Sequence, residues 1–420
     1  MSTRSGFRKI SVIGLGYVGL PTAATIATRG VSVIGVDLNE AAVQRINSGA
    51  SHIEETDLDV ILQAAVSTGN LKASTRPEAA EVFVIAVPTP IRSDKRSDLT
   101  AVDAAFRAIA PVLAKGNLVI LESTSPVGTT ERMTRMLAEL RPDLTFPLDH
   151  PNSADVLVAY CPERILPGQT LRELVDNSRT VGGLDQRSTE RTIEFYEIFC
   201  RGEMVTTSSR AAELVKLAEN SYRDVNIAFA NELSMLCTDF DVDVHEVISA
   251  ANRHPRVGIL QPGPGVGGHC IPVDPWFIVE ANPDRARLIR TAREVNDGKT
   301  SFVFEQVRMR ADRFKRPTIA CLGIAYKPDV DDLRESPALE IVERTVHEDI
   351  GDVLIVEPNI EALPKALARA GKARLAGLDE ALRLADIVLL LVAHKSFRRI
   401  SVKALAEKVV IDTVGLLPRG

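Results

Sequence analysis

Short β-branched apolar runs at 10–14, 31–37, 82–87, 118–122 and 156–160 alternate with stretches of helical periodicity through the first half of the chain. That alternation predicts a parallel sheet covered by helices. From 209 to about 240 the pattern turns helical with no internal Gly or Pro, long enough for a helix that connects domains. A second series of strands is expected at 318–324, 353–356, 386–392 and 409–412, after Arg316-Pro317. The expected fold class is therefore α/β, with two Rossmann-like α/β domains joined by a long central helix. At 420 residues the chain exceeds what one core ordinarily supports. The expected divisions are 1–208, 209–316 and 317–420.

Composition narrows the function classes. The chain is 45% hydrophobic and 25% charged, with 50 basic against 56 acidic side chains, so its formal charge of -6 gives no global attraction to nucleic acid or to anionic membranes. The apolar run near 385–393 is far shorter than a membrane span, and the polar opening before the first strand lacks the apolar stretch of a secretory signal. A cytoplasmic location is expected. Five scattered cysteines without a CxxC pair support neither a disulfide framework nor a metal site, and no metal is expected.

The first strand runs into Gly14-Leu15-Gly16-Tyr17-Val18-Gly19, followed by an alanine-rich helical stretch. Glycines there allow a tight turn and let the backbone approach a pyrophosphate, whose charge is stabilised by amides at the helix start. The next strand ends in Asp37, 18 residues beyond Gly19, where a carboxylate can bind the adenosine ribose hydroxyls. An anion at that position repels an added ribose phosphate, which favours NAD over NADP. Thr89, Thr124 and Thr130 follow further strands and are candidates for cofactor or substrate contact, although Thr130 sits equally well as a helix cap.

Four glycines and two prolines crowd the segment 260–270 immediately before Cys270, which excludes a regular helix. The expected form is a loop whose bare backbone approaches a bulky ligand and presents the thiol to it. On the long helix, Lys216, Asn220 and Arg223 fall on one polar stripe. A dinucleotide, a thiol and a lysine together suggest a four-electron oxidation. An alcohol becomes an aldehyde, Cys270 captures it as a thiohemiacetal, a second hydride leaves a thioester, and water releases the acid. Lys216 serves as acid or base, Asn220 and Thr124 orient oxygen atoms, and Asp274 biases local proton transfers. Two other readings compete: a single-step dehydrogenase or decarboxylating 3-hydroxyacid enzyme, which needs no thiol, and a nucleotide-sugar-binding protein without turnover.

In this order the residues resemble the UDP-glucose/GDP-mannose dehydrogenase family over nearly the whole chain. The matching segments are 14–19, 87–90, 123–128, 160–164, 216–223, 267–270 and 327–334. The fuller strings at 161–168, 251–256 and 262–270 are similar to the branch of that family that acts on UDP-N-acetyl-D-mannosamine, which supplies bacterial surface-polysaccharide precursors. The resemblance implies Cys270 as nucleophile, Lys216 as acid/base, and supporting roles for Thr124, Glu163, Asn220 and Asp274. It also implies that Arg164, Ile165, Lys216, Asn220, Arg223, His254, Arg256, Gly263, Gly267 and Lys327 receive the UDP-sugar and that Arg334 approaches NAD. A homodimer through the central helix is implied as well. UDP-glucose members commonly carry Ser and Lys where this chain has His269 and Val273. Glucose is thereby disfavoured, while UDP-N-acetylglucosamine stays open.

Overall fold

The structure, a computed structural model, describes residues 6–53, 55, 57–165 and 168–417. Leu166 and Pro167 of the 161–168 string lie outside these, as do the first five residues of the expected 1–208 domain and the last three of 317–420. The chain forms two compact units, Met1–Glu219 and Asn220–Gly420, with the boundary inside the helix Ser209–Asp239.

In the first unit, eight strands build one sheet: β1 Lys9–Ile13, β2 Ser32–Val36, β3 Leu71–Ser74, β4 Val82–Ile85, β5 Leu118–Leu121, β6 Leu157–Tyr160, β7 Arg179–Gly183 and β8 Met204–Ser208. Their order is β3-β2-β1-β4-β5-β6-β7-β8, parallel except where β7 pairs antiparallel with β6. Both faces are covered: Val82 and Val84 enter one apolar cluster while Phe83 and Ile85 enter the other. That is why these strands read as continuous apolar runs in the sequence. The chain leaves β1 in opposite directions towards β2 and β4, and such a reversal opens a crevice at the carboxyl ends of the strands.

The second unit repeats the device with five parallel strands, β9 Thr318–Leu322, β10 Asp352–Val356, β11 Ala373–Leu375, β12 Ile387–Leu390 and β13 Val409–Asp412, in the order β11-β10-β9-β12-β13. The expected α/β class and the long helix are thus both present. Strands β3, β7, β8 and β11 were not expected. They are short or carry polar residues such as Lys72, Arg179, Thr206 and Arg374, so no apolar run marks them.

In the same unit, helix Arg287–Ala311 packs Lys299 into the interior, 4% exposed, with its Nζ donating to Ser234 Oγ at 2.5 Å and lying 4.8 Å from the Phe302 ring. Burial pushes this amine down from 10.5 to about 8. A base whose folded pKa is depressed contributes its stability above the unfolded pKa and loses it as pH falls through the folded one. Lys299 therefore costs stability at pH 7, by up to about 3 kcal/mol at 1.36 kcal/mol per unit. Lys299→Met is expected to raise the melting temperature at pH 7 and to lose that advantage near pH 10. A variant that melts lower than the parent at pH 7 contradicts this.

Candidate functional site

The turn after β1 is shaped by contacts that no side chain tolerates. Gly14 adopts φ +92°, and a Cβ there would stand 2.5 Å from the Ala86 carbonyl oxygen; at Gly19 it would stand 1.8 Å from the Gly14 oxygen. Gly16 differs, because its Cβ position faces open space. Two of the three glycines are thus required by packing of the turn, while the third leaves room for a ligand's backbone approach. Helix Gly19–Ala27 begins at Val18 with no side-chain cap, which leaves its first amides available to an anion. Tyr17 on the same turn is 38% exposed. Asp37, at the end of β2, accepts the Leu15 amide at 3.0 Å and the Asn39 amide at 2.9 Å, so its carboxylate is held beside the turn. An uncapped helix start, an open glycine and a fixed carboxylate fit a dinucleotide.

Thr89 and Thr124 follow β4 and β5 and are half-buried at the same sheet edge. Ser123 Oγ donates to the Val87 carbonyl at 2.7 Å and ties their two loops together. Thr130 has another occupation. Its amide and hydroxyl both donate to Glu213 Oε1, at 2.8 and 2.7 Å, and Gly128 N donates to Glu213 Oε2 at 2.5 Å. Glu213 thus caps the start of helix Thr129–Leu140 by accepting its first amides, and the Thr130 hydroxyl donates to the same carboxylate.

Glu163 is buried beyond the end of β6. Its Oε1 accepts the Arg164 amide at 2.7 Å, and its Oε2 lies 2.7 Å from Arg179 Nη1. Arg164 is paired with Glu219 at 2.5 Å, and Ile165 packs on the core cluster, so any ligand contact from Ile165 is limited to its backbone or rim. Glu122 and Arg179 complete this group and were missed from the sequence. A charged residue ending the apolar run 118–122 was the available signal for Glu122; Arg179 opens a strand that nothing announced.

In the second unit, Cys270 alone among the five cysteines is exposed; Cys161, Cys200, Cys237 and Cys321 are buried. It precedes helix Asp274–Ala281, and its carbonyl accepts the amides of Val273 and Asp274 at 3.0 and 2.8 Å. Asp274 is buried, and its Oδ2 accepts from Asn220 Nδ2 at 2.5 Å. One hydrogen bond thus fixes the turn that carries the thiol to the polar stripe of the long helix. Lys216, half-buried, lies one turn before Asn220 on that helix, and Arg223, exposed, lies one turn after it. At the other end of the loop Gly263 N donates to Asn231 Oδ1 at 2.9 Å. Asn231 in turn donates to Asn296, and Asn296 to Asp224, which accepts Arg293 Nη1 at 2.6 Å. This buried chain anchors the loop's entry.

The glycines of the loop require a correction. They were expected to bare the backbone towards a bulky ligand, but a Cβ at Gly265 would meet Pro337 at 2.9 Å and at Gly267 the Glu335 oxygen at 2.6 Å. Gly268, at φ +88°, has Tyr326 at 3.1 Å. The chain's own 326–337 segment occupies that side. Only Gly263 is free of close protein contact, its nearest neighbour being the Gly265 oxygen at 3.7 Å. The same packing puts Lys327 with Pro264, Gly265, Tyr326 and Ala393 around a cavity of about 130 Å³. His254 and Arg256 are exposed on a loop that Asn252 braces through both its side-chain amide and its oxygen to Ile259. Arg334, 51% exposed, is paired with Asp332 at 2.7 Å.

The second unit also repeats the turn chemistry of the first. Gly323 follows β9 at φ +86°, and Glu357, following β10, accepts the amides of Ile324 and Ala325 at 2.8 and 3.1 Å. Here, however, buried His394 lies 3.0 Å from Glu357 Oε2. Burial acts to raise the Glu357 carboxyl, but His394 and the amides outweigh it and hold the group below the usual range. The acid that could bind a ribose is consumed internally in this unit. Among the described residues no group of side chains is arranged to hold a metal, and no helix is long and apolar enough to cross a membrane.

The chain matches three models of the UDP-glucose/GDP-mannose dehydrogenase family: the NAD binding domain over residues 8–200, the central domain over 210–298 and the UDP binding domain over 320–419. It is 57% identical over 410 residues to an NDP-N-acetyl-D-galactosaminuronic acid dehydrogenase of Ralstonia nicotianae, covering 98% of this chain and 96% of the relative. It is 56% identical over 421 residues to a UDP-N-acetyl-D-mannosamine dehydrogenase of Escherichia coli K12, covering 98% and 99%. Among solved structures, the UDP-N-acetyl-mannosamine dehydrogenase Cap5O from S. aureus is similar at a TM-score of 0.86 and 39% identity, covering 98% of this chain and 96% of that one.

Proposed function

The chain belongs to the UDP-glucose/GDP-mannose dehydrogenase family of NAD-dependent nucleotide-sugar oxidoreductases, and from that premise we propose that it oxidises UDP-N-acetyl-D-mannosamine to the corresponding uronate through a Cys270 adduct. The observation that carries the proposal is an exposed thiol at the start of a helix whose first acid, Asp274, is clamped by Asn220. Bound NAD supplies the hydride acceptor, twice per sugar. Lys216 removes the alcohol proton and later stabilises the oxyanion on the captured carbon. Cys270 Sγ bonds to the aldehyde carbon and retains it, first as a thiohemiacetal and then as a thioester. Water attacks that carbonyl carbon, its proton passes to Glu163, and the C–S bond breaks with its electron pair returning to sulfur. Asn220 and Thr124 orient oxygen atoms, and Asp274 holds Asn220 in place. Arg164, Arg223, His254, Arg256, Gly263 and Lys327 bind the nucleotide sugar, the arginines suiting its diphosphate.

Purified protein is expected to form two NADH per uronate from UDP-N-acetyl-D-mannosamine. One NADH per sugar with accumulating aldehyde would overturn the two-step reading, and binding of both ligands without turnover would leave a sensor. The relative from Ralstonia is named for N-acetyl-D-galactosaminuronic acid, so UDP-N-acetylgalactosamine belongs in the same panel with UDP-N-acetylglucosamine and UDP-glucose. For the cofactor, Asp37→Asn keeps an acceptor for the Leu15 amide but loses the charge. It is expected to narrow the preference for NAD over NADP by at least about tenfold. An unchanged ratio of kcat/KM for the two cofactors would contradict the electrostatic assignment.

A homodimer through the long helix is part of the same reading. Tyr222, Phe229, Leu236 and Phe240 lie within one face of that helix and are 74%, 57%, 44% and 71% exposed, an apolar stripe suited to a second copy. Sedimentation as a monomer at micromolar concentration would reject it. A cytoplasmic location follows from the supply of NAD and nucleotide sugars.

A further inference from the structure

Behind Glu163 the first unit buries a second carboxylate and one guanidinium. The side chains of Glu122, Arg179 and Glu163 are 0%, 3% and 7% exposed. Glu122 follows β5, Glu163 lies in the loop after β6, and Arg179 opens β7, so three adjacent strands converge on one cluster. Arg179 Nη1 lies 2.7 Å from Glu163 Oε2 and donates to Glu122 Oε1 at 3.2 Å. Tyr196, from helix Gln186–Tyr196, donates its hydroxyl to the same Glu122 oxygen at 3.1 Å, and its ring lies 4.7 Å from the guanidinium carbon. Cys161, on the Glu163 loop, completes the titratable groups facing the cluster. The guanidinium of Arg164 is engaged by Glu219.

These groups do not balance as drawn. Burial pushes the Cys161 thiol up to about 12 and the Tyr196 phenol well above its ordinary value, so both are neutral at working pH. Two carboxylates then face one cation in a largely buried site, where an uncompensated charge is expensive. One carboxyl must carry a proton. Glu163 has the closer approach to Arg179 and also holds the Arg164 amide. Glu122 is the more buried of the two, and burial followed by the charge of Glu163 pushes it up to about 7.

We propose that Arg179 and Glu122 are positioning residues for Glu163. Arg179 fixes the Glu163 carboxylate in one orientation, while Glu122 takes the proton that two carboxylates on one guanidinium must share. Resting on the dehydrogenase reading above, this holds the Glu163 carboxylate where it accepts the proton of the attacking water.

The test uses the full chain, with uronate formation measured against pH for the parent and for Arg179→Met, Arg179→Lys, Glu122→Gln and Glu163→Gln. Arg179→Met is expected to lower kcat by about tenfold or more across the pH range with KM for the sugar changed less than kcat, and Arg179→Lys to restore most of the loss. Glu122→Gln, which puts a neutral amide in place of a neutral acid, is expected to leave the acidic limb of kcat in place. It should also remove a protonated-carboxyl infrared band present in the parent at pH 6. An unchanged kcat in Arg179→Met, a raised limb in Glu122→Gln, or no such band in the parent overturns the inference. The infrared and Glu122→Gln results decide it even where Arg179→Met does not fold. Full turnover by Glu163→Gln would instead sink the proposed hydrolysis step itself, a separate failure.

Discussion

Cys270→Ser is expected to bind NAD and UDP-N-acetyl-D-mannosamine like the parent yet form uronate at least about 10³-fold more slowly, because a serine hydroxyl is a far weaker nucleophile than a thiolate. The substitution is nearly isosteric, and the position is exposed. The hydrogen bonds from the Val273 and Asp274 amides reach the residue 270 carbonyl rather than its side chain, so the turn should survive. Isothermal titration for the two ligands, together with uronate analysis, separates binding from chemistry. Uronate formed at the parental rate would remove the covalent intermediate from the mechanism.

The second large effect is on the dinucleotide turn. Gly19→Ala is expected to destabilise the first unit by about 3 kcal/mol or more and to abolish NAD binding, because the added Cβ would lie 1.8 Å from the Gly14 carbonyl oxygen and 3.0 Å from its carbon. Both clashing atoms are backbone, which has no rotamer to relieve the contact. Gly16→Ala is the control. With nothing within 4 Å of its Cβ, it should melt close to the parent and lose NAD affinity alone. Thermal melts and NAD titrations of the two variants give the comparison, and a Gly19→Ala protein that melts and binds like the parent would refute the steric argument.

The pair illustrates how the same motif letter can serve two purposes. In the sequence, Gly14, Gly16 and Gly19 are equivalent members of one pattern. In the folded chain two of them are fixed by contact with Ala86 and with the turn itself, while one is open. The glycines before Cys270 show the reverse error: they read as clearance for a ligand, yet three of them make room for Tyr326, Glu335 and Pro337, distant in the chain. Thr130 likewise reads as a cofactor contact or a cap, and Glu213, more than eighty residues later, takes its hydroxyl.

By itself the sequence determined the α/β class, the long helix, the dinucleotide turn with Asp37, and Cys270 as the thiol set apart. These are local properties: a buried strand's apolar run, a helix without breakers, a glycine turn between strand and helix, and a cysteine that follows a loop no helix could accept. Only the tertiary structure decided which partners those residues meet. Asn220 is joined to Asp274, Arg179 to Glu163 and to Glu122, and Glu357 to His394, across separations of 54, 16, 57 and 37 positions. Such pairings carry no period and no motif, since they arise from the order in which strands enter a sheet. A buried charge finds its counter-charge only when that order is set.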